Sequence, residues 1–409
     1  MTFCILTLGC KVNQSESDAI EGQLVLRGHT PVSLPEKPDI CIVNTCSVTA
    51  RSDHQSRQLV RRALRSSSKV IVTGCFAELR PHEIEKIDRD IHIVSNIDKS
   101  RILNMLEVIP YSNSLCYSTK SRPYIKIQDG CNFSCSYCIV PKARGKSRSI
   151  PEEDIIQRVF QFEDLCYNEV VLTGIHLGSY GKDLDSRASL SRLLETLLQK
   201  TKISRIRISS VAPNDIDERL IDLFKESRIC NHLHIPLQSA DDSLLKRMSR
   251  PYTQSLYRSK MEKILLANPA VAIGTDVIVG FPGETDASFL TTKNFLEEMP
   301  FAYLHNFPFS LRPGTTAASL NDHIPAPLKK KRLQALQQLR DRKMKLFTSS
   351  QVGKTLDIII EEVDSDGYSV GTSSNYLRVR VHSHDHHKKS LISVRVTETD
   401  GQTLVGKVV

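Results

Sequence analysis

The sequence predicts an α/β protein in three parts: an N-terminal open parallel α/β domain, a central partial (β/α)6 barrel and a C-terminal small all-β barrel. Three observations predict it. The first 110 residues alternate short apolar runs with helical patterns, the same rhythm restarts near Arg122 and repeats six times, and from Gly353 the period shortens to strands separated by turn residues. A chain of 409 residues exceeds what one ordinary core organises, so domains are expected at 1–110, 117–350 and 351–409.

In the first part, FCILTL, DICIVN and KVIVTG predict strands, with helices led by Ser15 and Ser17 to about Arg27, from about Ala50 to Arg65, and from Pro81. Cys10, Cys46 and Cys75 each follow one of these strands, about one βα unit apart. Strand carboxyl ends share one edge of such a sheet, where ligands bind, so the three thiols are expected to converge. Cys4 and Cys41 lie within strands and read as small buried apolar side chains.

The central part offers PYIKIQDG, EVVLTGI, SRIRISSV, HLHIPLQS, AIGTDVIVG and YLHNFPFS, separated by helices led by Pro151, Leu190, Pro213, Pro251 and Glu284. Six such units suit an incomplete barrel whose chemistry sits at the strand carboxyl ends. TLDIIIEEV, GYSVGTS, NYLRVRV, SLISVRV and TLVGKVV then predict a five-stranded small barrel, a shape that commonly carries single-stranded or looped nucleic acid.

Hydrophobic residues make up 40% and charged residues 25%, no apolar run approaches a membrane span, and MTFCILTLGC lacks a basic leader. A soluble, cytoplasmic protein without a membrane partner is expected. Eleven cysteines in clustered spacings point to metal ligation or burial in a reducing compartment rather than to a disulfide framework. The net charge of +9 concentrates in Lys329–Lys345, where eight basic residues face the single acid Asp341. Leu333, Leu336, Leu339, Met344 and Leu346 predict a helix there with one dry side, either simply solvated or facing RNA. Arg57, Arg61, Arg62 and Arg65 form a second basic stripe with the same two readings. The HDHH turn, His384 to His387, reads as a solvated loop before it reads as a metal site.

Cys131, Cys135 and Cys138 form a compact C-x3-C-x2-C in one loop after the first barrel strand. Three closely spaced thiolates can hold a cubane iron–sulfur cluster through three irons, leaving the fourth open to a small ligand. Structural zinc is the rival reading, but it wants four ligands in paired spacings, and no histidine or further cysteine lies nearby. With Tyr137 before the last cysteine and a βα barrel behind it, the motif resembles the radical S-adenosylmethionine superfamily. There the methionine amino and carboxylate groups chelate the open iron, and one electron cleaves the sulfonium to a 5′-deoxyadenosyl radical.

Further stretches, TLGCKVNQSES (7–17), NTCSVT (44–49), VTGC (72–75), IQDGCNFSCSYCIVPKARGKSRS (127–149), VLTGIHLGSYG (171–181), HIPLQS (234–239), TDVIVGFPGET (275–285) and RPGT (312–315), are similar to the methylthiotransferases. This resemblance implies an N-terminal domain with an auxiliary [4Fe–4S] cluster on Cys10, Cys46 and Cys75, a radical barrel with its cluster on Cys131, Cys135 and Cys138, and a C-terminal TRAM module. TLGCKVNQ and LTGIHLGSYG resemble the branch acting on N6-threonylcarbamoyladenosine at position 37 of tRNA, whereas the isopentenyladenosine branch usually begins YGCQMN. The implied reaction replaces adenine C2–H by C2–SCH3 with two S-adenosylmethionines. Its implied partners are a tRNA anticodon loop, a reducing electron donor and a sulfur donor. Other readings are isopentenyladenosine-37 tRNA or a ribosomal-protein aspartate as substrate, and an iron–sulfur RNA-binding sensor without catalysis. Phe76 and Ala240 depart from the family pattern beside motif positions, not on ligands.

Candidate contacts to S-adenosylmethionine begin with Tyr137, and with Thr173 and Gly174 at the second strand's end, which otherwise form only a tight turn. Arg207 with Ser209 and Ser210 could take the methionine carboxylate or ribose, or Arg207 could be an ordinary half-buried strand arginine. His234 and Gln238 are expected to point inward, against a satisfied core histidine. Asp276 and Glu284 could hold ribose hydroxyls or cap a helix. Cys116, Cys166 and Cys230 show no ligand spacing and are taken as structural.

Overall fold

The computed structural model describes residues 1–106, 108, 117–185, 187–363, 367–382 and 387–409. The N-terminal unit is a five-stranded parallel sheet in the order Thr30–Pro31, Thr2–Thr7, Ile40–Thr45, Lys69–Gly74, His92–Ile93. Its central strand is buried along its whole length, which is why its sequence runs continuously apolar up to Asn44. Cys4 pairs with Cys41 across adjacent strands, and both are buried.

The first helix spans Lys11–Leu26, starting earlier than Ser15 and Ser17 predict. Its first two turns carry Asn13, Ser15, Glu16, Ser17 and Asp18, all buried. Such polar residues read as a cap in sequence, but here they serve an interface. Asn13 Nδ2 donates to the carbonyls of Leu8 (2.8 Å) and Thr45 (3.0 Å), pinning the helix start to two strand ends.

Six parallel strands form the central barrel: Tyr124–Lys126, Glu169–Thr173, Arg205–Ile208, His232–His234, Ala272–Val279 and Tyr303–Pro308. They pair as two three-stranded sheets linked by isolated bridges, Ile206 to Ile229 and Ser210 to His234. The fourth strand stops short of HLHIPLQS because Pro236 has no N–H to give. Pro213 leads a short 3-10 turn rather than a helix; the helix begins at Glu218, capped by Asp217 Oδ1 accepting from the Leu220 N–H. No pairing among the described residues joins the first and sixth strands. The N-terminal unit covers that open side. Ser15 Oγ donates to the Tyr124 carbonyl (2.9 Å) at one margin, while Arg312 Nη2 reaches Ser47 Oγ (2.9 Å) and Asp53 Oδ2 (2.7 Å) at the other.

The C-terminal segment closes into a five-stranded barrel around Ile358, Ile360, Val379, Val381, Val394 and Leu404. It seats against the amino ends of the large barrel's strands. Fully buried Glu169 is the hub: Arg207 Nε lies 2.7 Å from it, Arg122 3.5 Å, and Arg205 pairs with it more closely still. These arginines then donate outward to the small barrel, Arg205 to Asp357 O (2.9 Å), Arg207 to Ser373 O (2.9 Å) and Ser374 O (3.0 Å). The basic segment is a helix, Ala326–Ser349, packed on the sixth strand. Leu336 and Leu339 are buried as predicted, but Leu346 is exposed, and Arg332 is buried between Glu284 and Asp286. The helix therefore carries fewer free cations than its sequence counts. No described helix is long and apolar enough to cross a membrane.

Burial works against the Glu169 carboxylate, but Arg207, Arg205 and Arg122 hold its pKa well below the ordinary range. The stability it contributes is thus present above the ordinary carboxyl pKa and lost as pH falls through the depressed one. Glu169→Gln leaves three buried guanidiniums without their counter-ion and is expected to cost roughly 3–5 kcal/mol. The measurement is the urea midpoint against pH, which should drop at neutral pH and flatten on the acid side relative to wild type.

Candidate functional site

Both cysteine triads lie at strand carboxyl ends, as their positions predict. Cys10 caps the helix Lys11–Leu26, Cys46 directly follows the strand Ile40–Thr45, and Cys75 opens the helix Cys75–Leu79 after the strand Lys69–Gly74. Two glycines permit this approach. Gly9 has φ +111°, and a Cβ there would stand 3.0 Å from Cys46 Sγ; Gly74 has φ +96°, and a Cβ would stand 2.3 Å from the Thr45 carbonyl oxygen. Ser56 Oγ accepts from the Cys46 N–H (3.2 Å) and donates to its carbonyl (2.8 Å), holding that residue from the next helix.

In the second triad, the Cys131 N–H donates to Gly145 O (3.1 Å) and the Cys138 N–H to Cys135 O (3.0 Å), coiling the loop so that its thiols converge. The Phe133 N–H donates to Cys131 Sγ (3.4 Å) and Arg250 Nη1 to Cys135 Sγ (3.3 Å). Donors aimed at sulfur suit thiolates, not disulfides, and all six cysteines are free. Burial pushes the Cys75 thiol up to about 11 and the Cys138 thiol up to about 12, each raised further by its two neighbouring triad thiols. Burial likewise raises Cys46 and Cys131. Three such groups ionise together only beside a strong positive charge, which fits metal ligation.

The elements carrying the two triads pack together. The helix Cys75–Leu79 packs against the helix Val140–Arg144, which follows Cys138. Fully buried Arg144 donates to Asp129 Oδ1 (2.8 Å) on the second triad's side and to Glu16 Oε1 (3.0 Å) and Asn13 on the first triad's helix.

A cavity over the second triad is lined by Cys131, Cys135, Cys138, His176, Ser210 and Gln238, with Tyr137 at its edge. Gln238 holds a left-handed backbone at φ +64° and is nearly buried, and its side-chain amide makes no hydrogen bond among the described residues. A strained, unpartnered amide facing a cavity is a group set up for a ligand. Tyr137 packs edge-on to Phe281 with ring centres 6.4 Å apart.

Other predicted residues sit elsewhere. Thr173 is buried at its strand's end and Gly174 directly precedes the cavity-lining Ile175; a Cβ on Gly174 would come within 3.0 Å of Gln128 Oε1, so the turn reading of this glycine has a direct cause. Ser209 is buried, and its N–H belongs to the Leu172 carbonyl (3.2 Å). Arg207 is at the opposite end of the barrel, bound to Glu169 and the small barrel, a correction to its expected cofactor contact. Its strand enters from that end, and side chains two residues apart on one face reach different depths. Glu284 is also turned away: it accepts from the Gly280 N–H and from Arg332. His234 and Asp276 do face inward, His234 Nε2 to Asp276 Oδ1 at 3.0 Å, with His305 Nδ1 on the same oxygen at 3.2 Å. Burial acts against the Asp276 carboxylate, but the two imidazoles hold it well below its usual range. Cys230 is buried, Cys166 is exposed rather than structural, and Cys116 with His384 to His386 lies outside the described residues.

Sequence reading missed His176, Phe133, Arg250 and Lys11. His176 Nε2 lies 3.0 Å from Asp215 Oδ2 and its ring meets Phe133 edge-on at 4.6 Å. Burial would raise Asp215, but His176 and Lys182 hold it down. Lys11, directly after Cys10, projects its ammonium over the Tyr376 ring, 5.4 Å from the centre. Burial pulls its pKa down to about 8, with Arg207 and Arg122 adding to the fall.

A family model described as the radical SAM superfamily matches residues 125–296, and one described as uncharacterized protein family UPF0004 matches residues 2–96. A Bacillus subtilis protein named threonylcarbamoyladenosine tRNA methylthiotransferase MtaB is 37% identical over 92% of this chain and 90% of its own length. Its Chlamydia pneumoniae namesake is also 37% identical, over 100% and 98%. The chain belongs to the radical SAM methylthiotransferase family. A tRNA-2-methylthio-N(6)-dimethylallyladenosine synthase from Thermodesulfovibrio yellowstonii is 31% identical over 99% of this methylthiotransferase and 98% of its own length. Among solved structures, the radical S-adenosylmethionine methyltransferase TsrM from Kitasatospora setae shares the fold, with a TM-score of 0.60, 13% identity, and coverage of 78% of this chain and 75% of that one. As a radical SAM protein, the methylthiotransferase uses S-adenosylmethionine and a [4Fe–4S] cluster.

The thiol environments are expected to order their reactivity in iron-free protein. Among the six triad thiols, exposed Cys10 should be alkylated first by iodoacetamide at pH 8, and Cys75 and Cys138 at least roughly tenfold more slowly, because raised pKa values leave them as neutral thiols. Time-resolved peptide mass spectrometry reads the order, and raising the pH toward 11 should narrow the gap.

Proposed function

We propose that this chain converts N6-threonylcarbamoyladenosine at position 37 of tRNA to its 2-methylthio derivative, replacing C2–H by C2–SCH3. The observation that carries the reading is the pair of thiol triads on packed helices, in a chain 37% identical to relatives of that name along nine-tenths or more of its length. Adenine C2–H has no acidic proton for a base to take, so its replacement calls for a radical and for sulfur waiting close by.

In this reading Cys131, Cys135 and Cys138 hold the cluster that takes S-adenosylmethionine, and Cys10, Cys46 and Cys75 hold a second [4Fe–4S] cluster. When bound, these groups supply a carbon radical and an activated methylated sulfur. The chain supplies position and dryness. Arg250 and the Phe133 N–H stabilise thiolate charge, while Gln238, Ser210 and Tyr137 offer polar and aromatic contacts to the nucleoside of S-adenosylmethionine. The N-terminal unit, laid over the open side of the barrel, brings the first triad's domain against the second and shields the barrel interior from bulk water. Exposed cations of the helix Ala326–Ser349 and the small barrel suit the anticodon stem. Electron and sulfur donors belong to the same proposal.

Mass spectrometry of tRNA nucleosides from a strain lacking this chain tests the reading. Loss of the 2-methylthio threonylcarbamoyl nucleoside is expected, restored by wild type; loss of the isopentenyl counterpart alone would overturn the substrate. Cys75→Ala, reconstituted anaerobically, is expected to lose about one cluster's iron and all thiolated product while still cleaving S-adenosylmethionine. Product formation at the wild-type rate would refute the role of the first triad.

A further inference from the structure

At the base of the large barrel, charge does not balance. Arg122, Arg205 and Arg207 share Glu169, and Arg122 also takes Glu361 at 2.5 Å. Lys11 enters the same field from the N-terminal unit; Glu169 attracts it from a distance, but it has no hydrogen-bond acceptor or ion-pair contact among the described residues, and its ammonium lies over the Tyr376 ring. Four cations therefore face two carboxylates. His232 feels the same excess, since burial, Arg207 and Lys11 together hold its imidazole well below its ordinary pKa. Positive charge left over in a half-buried site is costly unless an anion arrives to meet it.

The walls beside Lys11 are flat and polar at their edges. His232 and Tyr376 lie 4.4 Å apart between ring centres, and the Tyr303 hydroxyl is shared by His232 Nε2 (2.8 Å) and His234 Nδ1 (3.1 Å). His232 and Tyr303 are buried behind this stack, and half-buried Tyr376 presents the flat face that suits a planar amide or base. Lys11 also follows Cys10 without an intervening residue, so the helix start ties this cation to the first triad through the chain. A substrate whose reacting carbon meets that triad presents its nearby substituent to Lys11.

We propose that Lys11 is the specificity-determining cation of this site, its ammonium pairing with the carboxylate of the N6-threonylcarbamoyl group. The inference rests on the functional reading above. A threonylcarbamoyl substituent ends in a carboxylate, whereas a dimethylallyl substituent is an uncharged hydrocarbon. A site with an unmatched buried cation rejects the second by leaving that cation unpaired.

The test measures Kd of the reconstituted full chain for three anticodon stem-loop RNAs, carrying N6-threonylcarbamoyladenosine, N6-isopentenyladenosine or plain adenosine at the target position. Wild type is expected to favour the first. Lys11→Gln and Lys11→Met should each weaken it by roughly 10- to 100-fold and leave plain RNA bound as before, which also reports an intact fold. Lys11→Arg should keep most of the preference. Unchanged affinity for the threonylcarbamoyl RNA in Lys11→Gln would overturn the inference, as would equal weakening of all three RNAs, which would assign the cation to a phosphate. A wild-type protein with no preference for the threonylcarbamoyl RNA would instead overturn the functional reading beneath it.

Discussion

The contact on which the rest of the structure depends is the burial of Arg144. Its guanidinium sits in the seam between the N-terminal unit and the barrel, its two terminal nitrogens bound by Glu16 and Asn13 on one side and Asp129 on the other. Lys99 and Lys126 complete the cluster around Glu16, and although burial acts against ionisation, these cations hold its carboxyl far below the ordinary range. Taking any one of these charges away strands the others out of water at a cost of several kcal/mol. An apolar seam of the same area would tolerate sliding; a ring of buried, mutually paired charges does so only by breaking. The relative setting of the two triads is therefore specified by charge rather than by shape alone.

That choice has a chemical consequence. The N-terminal sheet aims its strand ends at its own three cysteines, and the barrel aims the C-x3-C-x2-C loop at its cavity, but neither element by itself brings the triads together. The seam does, through the Cys75 helix resting on the helix after Cys138 and through Arg312 reaching Ser47 and Asp53 beside Cys46. Both margins of the barrel's open side are thus tied to segments adjacent to a cysteine. Around the triads, left-handed backbone admits a close approach at Gly9, Gly74 and Gln238.

Much of this was legible in the sequence because it depends on local period. Strand ends followed by cysteine, six βα repeats and five short strands are one-dimensional signals, and each corresponds to an observed element. What was illegible depends on partners far along the chain. The helix after Cys10 starts early because its polar first turns bury against the barrel, and a polar run in isolation reads as a cap or loop. Arg207 reads as a ligand for a carboxylate, and it is one, but the carboxylate is Glu169 and the purpose is to seat the small barrel. Nothing in the spacing of His176, Arg250 or Lys11 marks them, because the groups that complete them, Asp215, Cys135 and Tyr376, lie far away along the chain.

The two ends of the barrel now read as one electrostatic design. At the carboxyl end, buried thiols with raised pKa values await positive charge. At the amino end, arginines gathered by Glu169 fasten the small barrel and leave an excess of positive charge that only Lys11, among the described cations there, carries without a partner. A neutral substrate would gain nothing from that field, whereas an adenosine bearing a carboxylate on N6 would be drawn in by it and oriented between the two ends. The same arginines that hold the domains together thus set the potential in which Lys11 acts, so architecture and substrate choice rest on a single group of charges.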